Sequence, residues 1–246
     1  MSLSVFKIVA YISTFSISVP LLIYLARITN LPRQFHLLGL SVVMSAAFDI
    51  LNLVYFRSHK SNYFLPNLYY ILLFALLAGF FYEILFRWQF KKVFQFGNYC
   101  FCVVVIVSCF LQDIDLQYQS WVWTISGLIL VVFCYLYHSF VQVDSARVVL
   151  NQHLDGELAI VAGIFLYFAF SSVIFFSTVN YIMTSLVPDA SRLLWSIHNA
   201  NNVIKNIFFA FGIYYSGKRK ITITKQEYDL IVARENKNLK GNPFVN

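Results

Sequence analysis

An all-α polytopic membrane protein, a bundle of seven transmembrane helices with its N-terminus outside and its C-terminus in the cytoplasm, is the fold class the sequence predicts. Three observations carry it. The chain of 246 residues is 59% hydrophobic and only 12% charged, far from the roughly 25% charged residues of an ordinary soluble domain. Its apolar residues gather into seven runs, each near the roughly 20 residues that a helix needs to cross about 30 Å of hydrocarbon. The basic residues between those runs fall mostly on one side.

The runs extend from about Val5 to Ala26, Phe35 to Phe56, Leu65 to Phe86, Val93 to Gln112, Trp121 to Val141, Leu158 to Thr184 and Leu193 to Tyr215. The first is longer than a signal-peptide core and ends in Leu25-Ala26-Arg27 without a small-residue cleavage site, so it is expected to stay as a helix. Pro20 inside it predicts a kink. Polar connectors are read at Pro32, His59 to Asn62, Gln95 to Asn98, Asp113 to Asp115, Asp155-Gly156 and Pro188-Asp189. Translocating Lys and Arg is disfavoured, and 13 of them collect on the side of Arg27, Arg33, Arg87, Lys91, Lys92, Arg147 and the tail, against four on the other side. That bias predicts a cytoplasmic tail. Residues 1–215 then form the transmembrane domain and 216–246 a basic cytoplasmic tail. There Thr224 and Glu227 resemble a capping box for a short amphipathic helix that could meet the membrane or a cytoplasmic protein.

The net charge of +7 follows this topology, so it does not point to nucleic acid. Trp88, Trp121, Trp123 and Trp195 lie near run ends and are expected at the lipid interface. Cys100, Cys102, Cys109 and Cys134 fall inside apolar runs, where a thiol packs as a small hydrophobe; neither a disulfide nor a zinc site is expected, and no cofactor.

An ionisable group inside a span costs several kcal/mol unless it is paired or hydrated, which makes each one a functional candidate. The densest set lies in the seventh span. At 100° per residue, His198, Asn199, Asn201, Asn202, Lys205 and Asn206 fall within an arc of about 160°, and Ala200, Val203, Ile204, Ile207 and Phe211 lie opposite. The second span repeats the pattern more narrowly with Ser41, Ser45, Asp49 and Asn52. Measured from the outer ends, Asp49 sits about 10 Å deep, His198 about 8 Å and Lys205 about 18 Å. The two helices are therefore expected to be neighbours, with Asp49 meeting His198 or Lys205 and a small polar cavity in the outer half. Tyr69, Tyr70, Tyr167 and Ser171 are further candidates for its lining. Plain interhelical bonding would use the same residues. Glu83 is read as the partner of Arg87, four residues on.

Four chemistries fit this inventory unequally. Lys205 in a seventh helix suggests retinal, but Asn201 stands where a carboxylate is wanted. Ser41 or Ser45 with Asp49 and His198 suggests a membrane lipid hydrolase, but one histidine cannot assemble a catalytic zinc site. A transporter would lead one to look for inverted repeats and broken helices, and neither is visible in the sequence. A receptor or signalling partner that senses a small ligand or lipid through the polar cluster, without catalysis, fits the architecture best.

The stretch from Asp49 to Glu83, with Asn62, Pro66-Asn67 and Tyr69-Tyr70, and the segments Gly163-Ile164-Phe165-Leu166-Tyr167-Phe168, Trp195-Ser196-Ile197-His198-Asn199 and Asn202-Val203-Ile204-Lys205-Asn206-Ile207 resemble a group of seven-helix bacterial membrane proteins common in Bacteroidota. The likeness covers nearly the whole length in layout. It implies the same topology and a bacterial inner membrane; that group has no assigned activity, so no chemistry follows from it.

Overall fold

The computed structural model describes residues 3–55, 64–85, 91–111, 120–143, 153–177 and 188–216, with two isolated positions in the tail. Among them the secondary structure is helical throughout: α1 (Leu3–Ser16), α2 (Ser18–Arg27), a 3₁₀ turn (Ile28–Asn30), α3 (Arg33–Tyr55), α4 (Phe64–Leu85), α5 (Lys91–Leu111), α6 (Ser120–Val143), α7 (Leu154–Ser177) and α8 (Pro188–Tyr215). Six stretches are long and apolar enough to cross a membrane: Val5–Asn30, Arg33–Leu51, Phe64–Leu85, Lys92–Phe110, Trp121–Ser139 and Leu154–Ser177. The chain is thus built as a multi-pass membrane protein. Helix α8 has the length for a crossing, but its polar arc keeps it outside that set of six.

The element ends differ from the sequence reading in ways the backbone explains. Gln95 to Asn98 lie inside α5, Asp155 and Gly156 open α7, and Pro188 and Asp189 open α8 rather than serving as connectors. Proline suits a first helical position, where no intrahelical donor is needed, and acidic side chains suit a helix N-terminus. The first span is interrupted between Ser16 and Ser18. Pro20 has no N–H to donate to the carbonyl of Ser16 and its ring crowds that turn, so α1 ends there. The serine hydroxyls fill in locally: Ser16 Oγ donates to Ser13 O at 2.6 Å and Ser18 Oγ to Phe15 O at 2.6 Å.

Helix α7 is the hub. It packs most extensively on α8 and α6, while α3 packs on α4 and α2, and the two halves of the first span both lie against α8. The seventh and second spans are therefore not the principal neighbours the polar stripes predicted; the first span contacts both. Helix α5 is packed mainly on α6 and turns Phe96, Tyr99, Val103, Ile106 and Phe110 outward, the last 87% exposed. Leu22, Ile50, Phe170, Val173, Ile207 and Phe211 continue this apolar outer surface around the bundle. Such a surface is stable against acyl chains and unstable against water.

Close backbone approach explains how α7 and α8 pack so tightly. A Cβ on Gly156 would lie 2.6 Å from Gly212 O, one on Gly212 would lie 2.7 Å from Gly156 O, and one on Gly163 would meet Phe208 Cβ at 2.7 Å. Small residues at a helix crossing permit this contact, and van der Waals packing is the main attraction available between helices in lipid. Gly79, by contrast, has only the flexible Leu37 side chain at 3.3 Å. Gly212→Val is expected to destabilise the purified protein by about 1–3 kcal/mol, read as an earlier thermal unfolding transition, whereas Gly79→Ala should leave the transition nearly in place.

Candidate functional site

The polar arc of α8 is enclosed by its neighbours. His198, Lys205 and Asn206 are buried, Lys205 at 4% exposure and Asn206 at 0%, while Ile197, Ile204, Ile207 and Phe211 on the other side are exposed. Asn199, Asn201 and Asn202 are half-buried at its edges. This partition follows from helical periodicity together with the cost of leaving an amide or ammonium in hydrocarbon.

Each polar group on the arc meets a different neighbour. Toward α7, Ser171 Oγ and His198 Nδ1 share a hydrogen bond of 3.0 Å. Ser171 also bonds the Tyr167 hydroxyl one turn away, and Tyr167 Oη reaches Tyr70 Oη on α4 at 3.3 Å. A buried line of four groups, Tyr70, Tyr167, Ser171 and His198, thus crosses three helices. Rings enclose it: Tyr167, Phe175 and Trp195 lie with centroids 5.3–5.4 Å from the His198 ring, and Trp123 stacks on Tyr70 at 3.5 Å. Trp123 is thus buried among neighbouring helices, and Trp195 is half-buried against them. Trp121 is exposed at its helix end, and Trp88 lies outside the described residues.

Toward the first span, Asn202 Nδ2 donates to Ser13 Oγ at 3.0 Å and Asn206 Nδ2 to Ser16 Oγ at 2.7 Å. Both acceptors lie on the last turn of α1, beside the interruption that Pro20 causes. The buried Asn206 Oδ1 has no hydrogen-bond partner. Lys205 Nζ stands 4.4 Å from the centroid of the Tyr167 ring and 5.8 Å from that of Phe209. A cation over a ring face is held by the ring quadrupole, a contact that strengthens away from water.

The second stripe is used differently from the expectation. Ser41 Oγ donates to Leu38 O at 2.7 Å and Ser45 Oγ to Ser41 O at 2.8 Å. With its one proton committed, Ser45 Oγ accepts from Tyr69 Oη at 2.8 Å. Neither serine reaches His198, so the serine on that imidazole is Ser171. Asp49 is half-buried on α3 and interacts through space with Lys205, Tyr69 and Tyr167. Among the described residues no nitrogen–oxygen approach of 4.0 Å or less joins it to Lys205. The Asn52 side chain lies outside the described residues.

At the opposite end of the bundle the structure adds a cluster that sequence reasoning missed. Glu157, buried in the first turn of α7, accepts from Tyr137 Oη at 2.8 Å and from Gln34 Nε2 at 3.3 Å. Arg27 donates to the carbonyls of Ile213 at 2.6 Å and Ser216 at 2.8 Å, and to that of Tyr214. It therefore closes the C-terminus of α8, where free carbonyls and the helix dipole favour a cation. His153 Nδ1 and Ser216 Oγ lie 3.5 Å apart, and partial burial lowers the imidazole pKa from its usual range while the Glu157 carboxylate opposes that shift. Glu83 pairs with Arg33 at 3.2 Å; Arg87, its expected partner, lies outside the described residues, as does the proposed tail helix apart from Leu230 and Ala233. The available sequence signal was a carboxylate, Glu157, four residues after a histidine at the mouth of an apolar run.

Among the described residues no group of three His, Cys, Asp or Glu side chains converges as a metal site would require. No protein-family model, curated protein or solved structure matches the chain.

Two substitutions separate the roles of these bonds. Arg27→Ala removes three contacts to the end of α8 and should destabilise by about 1–3 kcal/mol, seen as faster amide exchange in the last turn of that helix. Ser171→Ala leaves His198 without its hydroxyl partner and should cost about 1 kcal/mol in a thermal melt; an unchanged melt would show that the bond is idle.

Proposed function

We propose that the chain is a seven-span receptor or signalling partner of a bacterial inner membrane, with the N-terminus outside, the tail in the cytoplasm, and a small ligand or lipid headgroup recognised at the polar cluster around Lys205. The observation that carries this reading is the buried Lys205 ammonium. It is held over a tyrosine ring with no carboxylate within 4.0 Å among the described residues. A bundle needing only structural glue gains nothing from an ammonium left without a direct anionic partner, because its desolvation is costly. A site for a ligand does gain, since the incoming group supplies the missing interaction. The direct contact of α8 with Arg27 at its tail-proximal end supports a route by which a small movement of that helix reaches residues 216–246.

The hydrolase reading has one observation in its favour, the Ser171–His198 hydrogen bond. Serine and imidazole at 3.0 Å form a nucleophile–base pair, but both groups are enclosed and no carboxylate bonds the ring among the described residues.

Full-length protein purified in mild detergent should carry a retained lipid or small molecule in native mass spectrometry. Lys205→Met and His198→Leu should lose it, and the outward-facing substitution Ile204→Leu should not. An empty wild-type bundle, or equal retention in every variant, would remove the receptor reading; conversion of the retained lipid to free fatty acid would replace it with the hydrolase. A fluorescent reporter after Asn246 should fold in the cytoplasm and a periplasmic phosphatase inserted after Asn62 should be active; the reverse pattern would invert the orientation.

A further inference from the structure

Asp49 on α3 and Lys205 on α8 are opposite charges that interact across a gap. They act on each other electrostatically, yet no ion pair within 4.0 Å joins them, and among the described residues neither side chain makes a hydrogen bond. Away from water an unbridged pair is costly, because the buried Lys205 ammonium keeps only its ring contacts and half-buried Asp49 has lost part of its hydration without an ion pair in return. Tyr167 is common to the two ends: its ring carries the Lys205 ammonium at 4.4 Å, and its hydroxyl lies within the field of Asp49. Beside Asp49, Tyr69 presents a ring stacked on Phe48 at 4.2 Å, an aromatic surface of the kind that favours a cation. Next to Lys205 in the chain, Asn206 Oδ1 is buried and unpartnered, its amide nitrogen bonded to Ser16 on α1.

The geometry points to a zwitterion as the ligand, with its anionic group on the Lys205 ammonium and its own ammonium between Asp49 and the Tyr69–Phe48 rings. This rests on the receptor reading above and narrows it to one chemical class. A simple anion would leave Asp49 unanswered and add repulsion; a simple cation would do the same at Lys205. A phosphate or carboxylate joined by a few atoms to an ammonium answers both, through charge-assisted hydrogen bonds. Such a group is found in an ethanolamine-phosphate lipid headgroup and in free phosphoethanolamine alike.

Both sources can be tested on the full chain. In one arm the protein is placed in nanodiscs of mixed phosphatidylethanolamine and phosphatidylglycerol, and the retained lipid is identified by native mass spectrometry. In the other, detergent-solubilised protein is titrated by thermal shift with phosphoethanolamine, inorganic phosphate and ethanolamine separately. The zwitterion should be retained or should raise the melting temperature at concentrations about tenfold or more below those needed for either single-charge probe. Asp49→Asn and Lys205→Gln should each weaken it by about tenfold or more. Retention only in nanodiscs assigns the lipid headgroup; a shift only with phosphoethanolamine assigns the free molecule. If inorganic phosphate binds as well as phosphoethanolamine, or if Asp49→Asn leaves zwitterion binding unchanged, the site is a plain anion site and the proposal fails while the receptor reading stands. If no lipid or probe binds, both fail. Should the single variants not fold, the probe comparison on the unmodified chain still decides.

Discussion

Hydrocarbon offers no hydrogen bonds, and the arrangement of this bundle answers that constraint along one helix. Helix α8 carries an imidazole, an ammonium and several amides on a single arc, and that arc is stable only while it is covered. Coverage comes from two directions: α7, brought close by Gly156, Gly163 and Gly212, and α1, bonded through Ser13 and Ser16. Removing either wall would expose groups costing several kcal/mol each to lipid. The central position of α7 and the broken first span are both intelligible as parts of this covering.

The interruption at Pro20 places the end of α1 where α8 needs acceptors. There Ser16 Oγ donates its proton to Ser13 O and accepts from Asn206 Nδ2, so one hydroxyl ties the end of α1 to α8. Below the break, α2 brings Arg27 to the last carbonyls of α8. The same helix is thus gripped in its middle by one half of the first span and at its end by the other. Movement of α8 must therefore be shared by the first span, which also packs on α3. That shared contact links the Asp49 helix to the Lys205 helix through the first span.

The two ends of the bundle divide the chemistry. Near Tyr70, Tyr167, Ser171 and His198 the polar groups are enclosed by rings and linked in line. At the end where α8 meets Arg27 they are short clamps, with Glu157 held by Tyr137 and Gln34. The first region has an unbridged charge pair and an unsatisfied amide oxygen; the second anchors helix ends. On the receptor reading proposed above, recognition would belong to the former, because a ligand gains most where partners are missing.

Apolar length and helical period are local properties, so the membrane-spanning helices and the separation of polar from lipid-facing residues on α8 were legible in the residues alone. His198, Lys205 and Asn206 had to face inward for the same reason that Ile204, Ile207 and Phe211 could face out. Which helix would meet that polar arc was not legible, because hydrophobic period says where a stripe lies and nothing about its neighbour. Asp49 at a depth close to that of His198, and within reach of the long Lys205 stem, suggested that the second and seventh spans pack together; the glycine contacts of α7 and the kinked first span took the principal positions instead. Glu157 was missed and the burial of Trp123 was not foreseen on the same ground, since residues near a run end give no sign in the sequence of which neighbouring helix covers them. Tertiary packing decided these partners, through close backbone approach at small residues and the pairing of polar groups that hydrocarbon leaves no other way to satisfy.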